Sequence, residues 1–261
     1  MTTSVDAGAS APGEWLGASA RPGPPRRFGA LCFDLYRRGG VGLRVALPLV
    51  ALVVVPEFAQ HIVEIKIGMF ASLEAFRAHA MDPLRMGFGV VKIAGLVLAM
   101  LAIARFWWTG SVGAALRVPP RALLRTAFAV ALVFALELPF DLLRRVVPAG
   151  PGMALAAAAF LVQAFAFVYL VAALLDDRAM TLRRVPGQWR AALLMTVLLV
   201  LAYGPSFALH MATHKLALGQ PEALVWAIMT FDALVVGLLA SLAGAALALG
   251  YAAGTGQRLP R

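Results

Sequence analysis

Three groups of residues in this 261-residue chain have types and spacings that chemistry could use. The first is a histidine pair. His210 and His214 stand four residues apart, which on a helix puts two imidazoles on one face, as bidentate metal binding requires. The second lies in PEFAQHIVEIKIGMF, residues 56–70, where Glu57, His61 and Glu64 recur at steps of four and three. They share a face, and Phe58, Ile62, Ile65 and Met69 occupy the opposite one. If the two helices were neighbours, His61, His210 and His214 with Glu57 could meet a Zn²⁺-like ion. The competing expectations are a solvated rim where helices leave the membrane, and a proton-responsive or substrate-binding vestibule. The third group is Lys92, Asp232, Glu137 and Glu57, ionisable residues within or at the ends of apolar runs, where each costs several kcal/mol unless it snorkels or finds a partner.

Depth gives the third group an arrangement. At about 1.5 Å of rise per residue, Lys92 lies roughly 9 Å and Asp232 roughly 12 Å inside their runs. Comparable depth and opposite charge predict a Lys92–Asp232 ion pair, with Glu57 and Glu137 as competing partners for either residue. Enzyme signatures are missing: the chain has no GxSxG, P-loop, GxGxxG or HExxH, so neither catalysis nor a bound cofactor is expected. Ser206 and His210 share a helical turn but lack a third partner for hydrolase chemistry. Cys32 is the single cysteine, which excludes an intramolecular disulfide and a cysteine metal site.

The elements that must position these residues are membrane helices. Hydrophobic residues make up 61% of the chain and charged residues 14%, against roughly 25% charged in soluble domains. Because a bilayer core about 30 Å thick needs about 20 apolar helical residues, six stretches qualify as spans. They are Leu43 to Val63, Met86 to Phe106, Leu123 to Phe140, Met153 to Leu175, Ala191 to Met211 and Leu224 to Tyr251. None shows the period-two polarity of barrel strands. The fold class read here is all-α, a six-span membrane protein with short interfacial amphipathic helices.

The formal charge of +10 sorts by loop rather than pointing to nucleic acid. The N-terminal segment, the second and fourth loops and the tail hold 16 of the 23 basic residues. By the positive-inside rule both termini are cytoplasmic, which an even number of spans also requires. Trp107, Trp108, Trp189, Trp226 and Tyr251 fall at span ends, where interfacial aromatics concentrate. Residues 1–27, rich in Ala, Gly, Ser and Pro, are expected to be a disordered cytoplasmic tail; residues 28–252 form the membrane domain and 253–261 a short second tail. Leu31, Phe33 and Tyr36 among arginines predict a helix lying on the inner leaflet. Met69, Leu73 and Phe76 predict an interfacial helix in the first outer loop, stopped at Asp82-Pro83.

Small residues at every fourth position, Gly237, Ser241 and Ala245 beside Ala240, Gly244 and Ala248, place span six at the centre of the bundle. Pro48, Pro139 and Pro205 are expected to bend spans one, three and five. The order of elements resembles bacterial six-span inner-membrane proteins similar to the membrane domain of glycerophosphoryl diester phosphodiesterases. The resemblance rests on two basic lead-ins, FGALCFDLYRRGGVGLRVALPLV before span one and TLRRVPGQWRAALLMTVLLV before span five, and covers residues 28 to 252 in layout. It implies a membrane domain near lipid metabolism or envelope integrity, without the phosphodiesterase domain. The expectation is therefore a non-catalytic bacterial inner-membrane protein that supports envelope or lipid organisation, with membrane lipids and membrane proteins as partners. A small-solute permease is the alternative, and a metal-dependent membrane enzyme the third reading.

Overall fold

The computed structural model describes residues 28–144 and 146–260. The expected N-terminal tail, residues 1–27, lies outside them. The described residues are helical with no strand, and six helices are long and apolar enough to cross a membrane. The elements are α1 (Phe28–Val45), α2 (Leu47–Lys66), α3 (Leu73–His79), α4 (Pro83–Thr109), α5 (Val112–Leu116), α6 (Pro120–Arg144), α7 (Ala149–Leu174), a 3-10 turn (Leu182–Gly187), α8 (Trp189–Ala217) and α9 (Glu222–Thr255). The spans are α2, α4, α6, α7, α8 and α9, so each expected span is present with ends shifted by a few residues. One end of the bundle carries α3 and the α8–α9 turn, and the other carries α5 and the 3-10 turn. They are called the α3 end and the α5 end.

Local chemistry sets the boundaries. The helix breaks at Ala46 because Pro48, two residues later, has no N–H to offer the Arg44 carbonyl, so α1 and α2 separate there. At the α3 end, Gly68 adopts φ 73° and closes α2 with bonds from its own N–H to the Ile65 carbonyl and from Met69 to Glu64. Asp82 Oδ1 accepts the Leu84 and Arg85 N–H groups, with Pro83 in the first turn of α4, so Asp82-Pro83 starts that helix as well as ending the loop. The helices α2, α6 and α8 continue through Pro56, Pro139 and Pro205.

The centre is α9. It packs on α8, α4, α1, α2 and α7, and Gly237, Ala240, Ser241, Gly244, Ala245 and Ala248 are all buried there. The closeness has a measure: a Cβ on Gly250 would stand 2.6 Å from Met195 Cα on α8, and one on Gly244 would stand 2.7 Å from the Met100 carbonyl oxygen on α4. By contrast, α6 packs chiefly on α7 and turns Leu124, Phe128 and Phe134 outward. Exposed large apolar side chains along the spans are what a bundle facing lipid requires.

Two expectations change. The lead-in helix α1 docks against α9, with Leu31 and Leu35 buried and Ser241 Oγ donating to the Gly39 carbonyl at 2.8 Å. Only Phe33 and Tyr36 of its apolar residues expected at the leaflet remain outward. Tyr251, expected in an interfacial belt, is fully buried and donates to Asp177 Oδ2 at 2.6 Å. Burial pushes the Asp177 carboxyl up, but the hydrogen bonds from Tyr251 and Gln257 outweigh it and hold it below the ordinary 3.8. At the same end Arg105 is buried and spends its guanidinium on the carbonyls of Ala114, Ala115, Arg117 and Leu174, tying α4 to α5 and α7.

Candidate functional site

Ionisable residues of four spans meet near the α3 end. From α2 come Glu57, His61 and Glu64; from α4, Arg85 and Lys92; from α8, His210, Thr213 and His214; from α9, Asp232. Each lies within ten residues of its helix's α3 end, about 15 Å of axial rise. The steps of four and three on α2 aim its three polar residues at α4, α8 and α9 rather than at water. Glu57 and His61 have no exposed surface, and Glu64 is 1% exposed. Ile62, on the opposite face, is the exposed one. These three residues therefore do not form a solvated rim: the polar stripe turns inward, and of the opposite stripe Ile62 faces outward while Met69 is itself buried.

His61 sits at the middle. Its Nδ1 lies 2.9 Å from Glu64 Oε2, and its Nε2 lies 3.0 Å from Asp232 Oδ2 and 3.3 Å from Glu57 Oε1. Glu64 is held from behind by Arg85 Nε at 2.8 Å, and Lys92 Nζ donates to Glu57 Oε1 at 3.2 Å. Asp232 Oδ2 also receives His210 Nδ1 at 2.7 Å, while Thr213 Oγ1 donates to its other oxygen. His214 packs edge-on against His210, its Nδ1 donating to the His210 carbonyl at 3.0 Å. Glu57 Oε2 and Gln60 Oε1 are buried without a hydrogen-bond partner among the described residues.

The expected Lys92–Asp232 pairing gives way to its competing partner Glu57. Lys92 pairs with Glu57, and Asp232 pairs with His61 and His210, so the expected Lys92–Asp232 bridge is replaced by two separate contacts joined through His61. The direction each side chain points around its helix decides the partner. Glu137 lies on α6, where its Oε2 accepts from Gln163 of α7 at 3.0 Å, and so belongs to a different contact. The three candidate metal-binding histidines do converge with Glu57. Arg85 and Glu64 carry roles that sequence spacing hinted at only for Glu64, through its place on the α2 stripe.

Two overlapping triples present one ligand atom apiece within 4.8 Å of one another: Glu57, His210 and Asp232, and His61, His214 and Asp232. In the second, the His214 nitrogen nearest Asp232, Nδ1 at 3.9 Å, already donates to a carbonyl. The better set is the first, Glu57, His210 and Asp232, with His61 Nε2 beside its two carboxylates at 3.3 and 3.0 Å. Ligands about 2.0–2.1 Å from a tetrahedral ion stand about 3.3 Å apart; in this triple His210 Nδ1 lies 2.7 Å from Asp232 Oδ2 and every ligand atom lies within 4.8 Å of the others. Outer partners hold two of these ligands, Lys92 on Glu57 and Thr213 on Asp232. Comparison of the chain with protein-family models, with curated proteins and with solved structures finds no match in any of the three.

Proposed function

We propose that this chain is a non-catalytic integral membrane protein whose bundle is clamped near its α3 end by a divalent metal ion of the zinc class, held by Glu57, His210 and Asp232. The observation that carries the reading is His61 Nε2 facing two carboxylate oxygens at 3.0 and 3.3 Å while Nδ1 is engaged by a third. Carboxylates do not attract one another, so a positive charge belongs at their meeting point. Glu57 and Asp232 are fully buried and the three ligands come from three different helices, so the ion would join elements of the bundle. The ion would join α2, α8 and α9. Support of envelope or lipid organisation in a bacterial inner membrane, with both termini cytoplasmic, is the role that fits such a scaffold. The layout resemblance to phosphodiesterase membrane domains points the same way.

Charge balance favours a second reading, in which a proton replaces the metal. Glu57, Glu64 and Asp232 face Lys92 and Arg85, so one proton on the histidines makes the cluster neutral, while a divalent ion leaves one positive charge in excess. The cluster is then a proton-held clamp of the same three helices. Protein purified without chelator separates the two. Metal analysis is expected to find about one equivalent of a d-block ion, lost in Asp232→Asn and in His210→Ala, and chelation should lower the melting temperature. Saturating metal at about 100 times Kd stabilises by about 2.7 kcal/mol. Wild-type protein without stoichiometric metal, and without a thermal shift on adding Zn²⁺, would overturn the metal and leave the proton.

A further inference from the structure

Five arginines converge on one cavity at the α5 end, opposite the histidine cluster. The cavity measures about 1150 Å³ and is walled by Arg121 and Arg125 of α6, Tyr169 of α7, and Arg178, Arg183 and Arg184 of the loop and 3-10 turn before α8. Asp176 is the one carboxylate in its wall, and it is spent on Arg121 in a two-oxygen contact with nitrogens at 2.5–3.1 Å. Three of the arginines, Arg121, Arg125 and Arg184, are held in place by the fold. Arg125 Nη2 donates to the Asp177 and Met180 carbonyls at 3.1 and 3.0 Å and its guanidinium stands 5.9 Å over the Tyr169 ring, while Arg184 Nη1 donates to the Ala179 carbonyl at 3.1 Å. Asp176 itself takes a left-handed φ of 56° just past the end of α7, where the loop that lines the cavity begins.

Excess guanidinium around a concave site is unfavourable unless an anion shares it, and planar forked donors match phosphate oxygens best. We infer that this cavity binds a phosphate-bearing anion, and that the anion is the headgroup of an acidic phospholipid. The choice of lipid over soluble phosphate rests on the walls. Phe128 of α6 packs edge-on to Tyr169 at 6.3 Å, and Leu124 and Phe128 are exposed, so the basic cavity continues into an apolar strip between α6 and α7 that an acyl chain can cover. Trp189, at the start of α8 and 60% exposed, marks the level at which headgroups lie. Basic pockets between membrane helices are suited to such headgroups. The inference is independent of the metal clamp, since the two sites lie at opposite ends of the bundle.

The test is lipid retention by the purified full chain, read by native mass spectrometry and by binding to nanodiscs of phosphatidylglycerol against phosphatidylcholine. Wild type should prefer the acidic lipid at least tenfold. The double variant Arg183→Gln with Arg178→Gln should lose about 25-fold in affinity, roughly fivefold per charge, with an unchanged circular dichroism spectrum. Arg37→Gln, exposed on α1 and outside the cavity, serves as the control for general surface charge and should lose far less. Millimolar inorganic phosphate should leave lipid binding intact; displacement by phosphate would keep the anion site and reassign its ligand to a soluble phosphate. Equal losses in the double variant and the Arg37→Gln control, or no preference for acidic lipid in wild type, would overturn the site.

Discussion

Lys92 meets Glu57 across the α2–α4 contact, yet the two are not equally exposed: Glu57 is fully buried, while the Lys92 side chain keeps 22% of its surface. That asymmetry determines what each truncation costs. Lys92→Met leaves a buried carboxylate with one cation fewer, and is expected to destabilise by about 3 kcal/mol, the lower part of the range for breaking a buried pair. In metal-free protein, adding Glu57→Gln removes the stranded charge and should recover much of that loss, read as coupling in a double-mutant cycle of thermal unfolding in detergent with chelator. The same cycle between Lys92→Met and Asp232→Asn should show much weaker coupling, because those residues touch different partners. Equal coupling in both cycles would restore the Lys92–Asp232 pair that comparable depth alone suggested. The lesson is physical: rise per residue makes depth readable in a sequence, whereas partners depend on which helices adjoin and on rotation about their axes. Arg105 illustrates the same limit, since nothing in its spacing reveals that four backbone carbonyls converge on it.

At the level of elements, α9 is held by close approach rather than by side-chain bulk. Its Gly/Ala/Ser strips were legible because lipid offers no hydrophobic drive between helices, leaving close packing to select small residues. Docking of α1 onto α9 was less legible, because an amphipathic stripe fits a membrane surface and a helix groove equally well. Graded glycine substitutions test how α9 is held. In Gly250→Ala the new methyl meets Met195 backbone at 2.6–2.7 Å, which cannot yield without separating α8 from α9, so a loss of about 1–3 kcal/mol is expected. Gly237→Ala meets side-chain atoms of Val54 and Val50 at 2.6 and 3.0 Å, which can shift in part, and should cost less. Gly87→Ala on α4 has open space around it and should gain about 0.5–1 kcal/mol from reduced unfolded-state entropy. Melting temperatures should follow the order Gly87→Ala, wild type, Gly237→Ala, Gly250→Ala. A stable Gly250→Ala protein would show that the α8–α9 contact is softer than its geometry.

For the whole molecule, six spans and the position of both ends fix a shape with two unlike faces. Arg38 of α1 reaches the Pro260 carbonyl at 3.3 Å, so the start and finish of the described chain share the α5 end. That end also holds Arg105, Arg121, Arg125 and the arginines before α8, while the α3 end holds few cations and spends Arg85 and Lys92 internally. The described segments at the α5 end carry 12 of the 23 basic residues, and the positive-inside rule predicts that this end faces the cytoplasm. Impermeant maleimide labelling of intact cells tests the orientation in a Cys32→Ser background. Ala71→Cys and Gln220→Cys, exposed at the α3 end, should react from outside, and Thr181→Cys at the α5 end only after lysis. The reverse pattern would put the arginine cavity on the outer face and the histidine cluster toward the cytoplasm, exchanging the compartments from which each site draws its ligand.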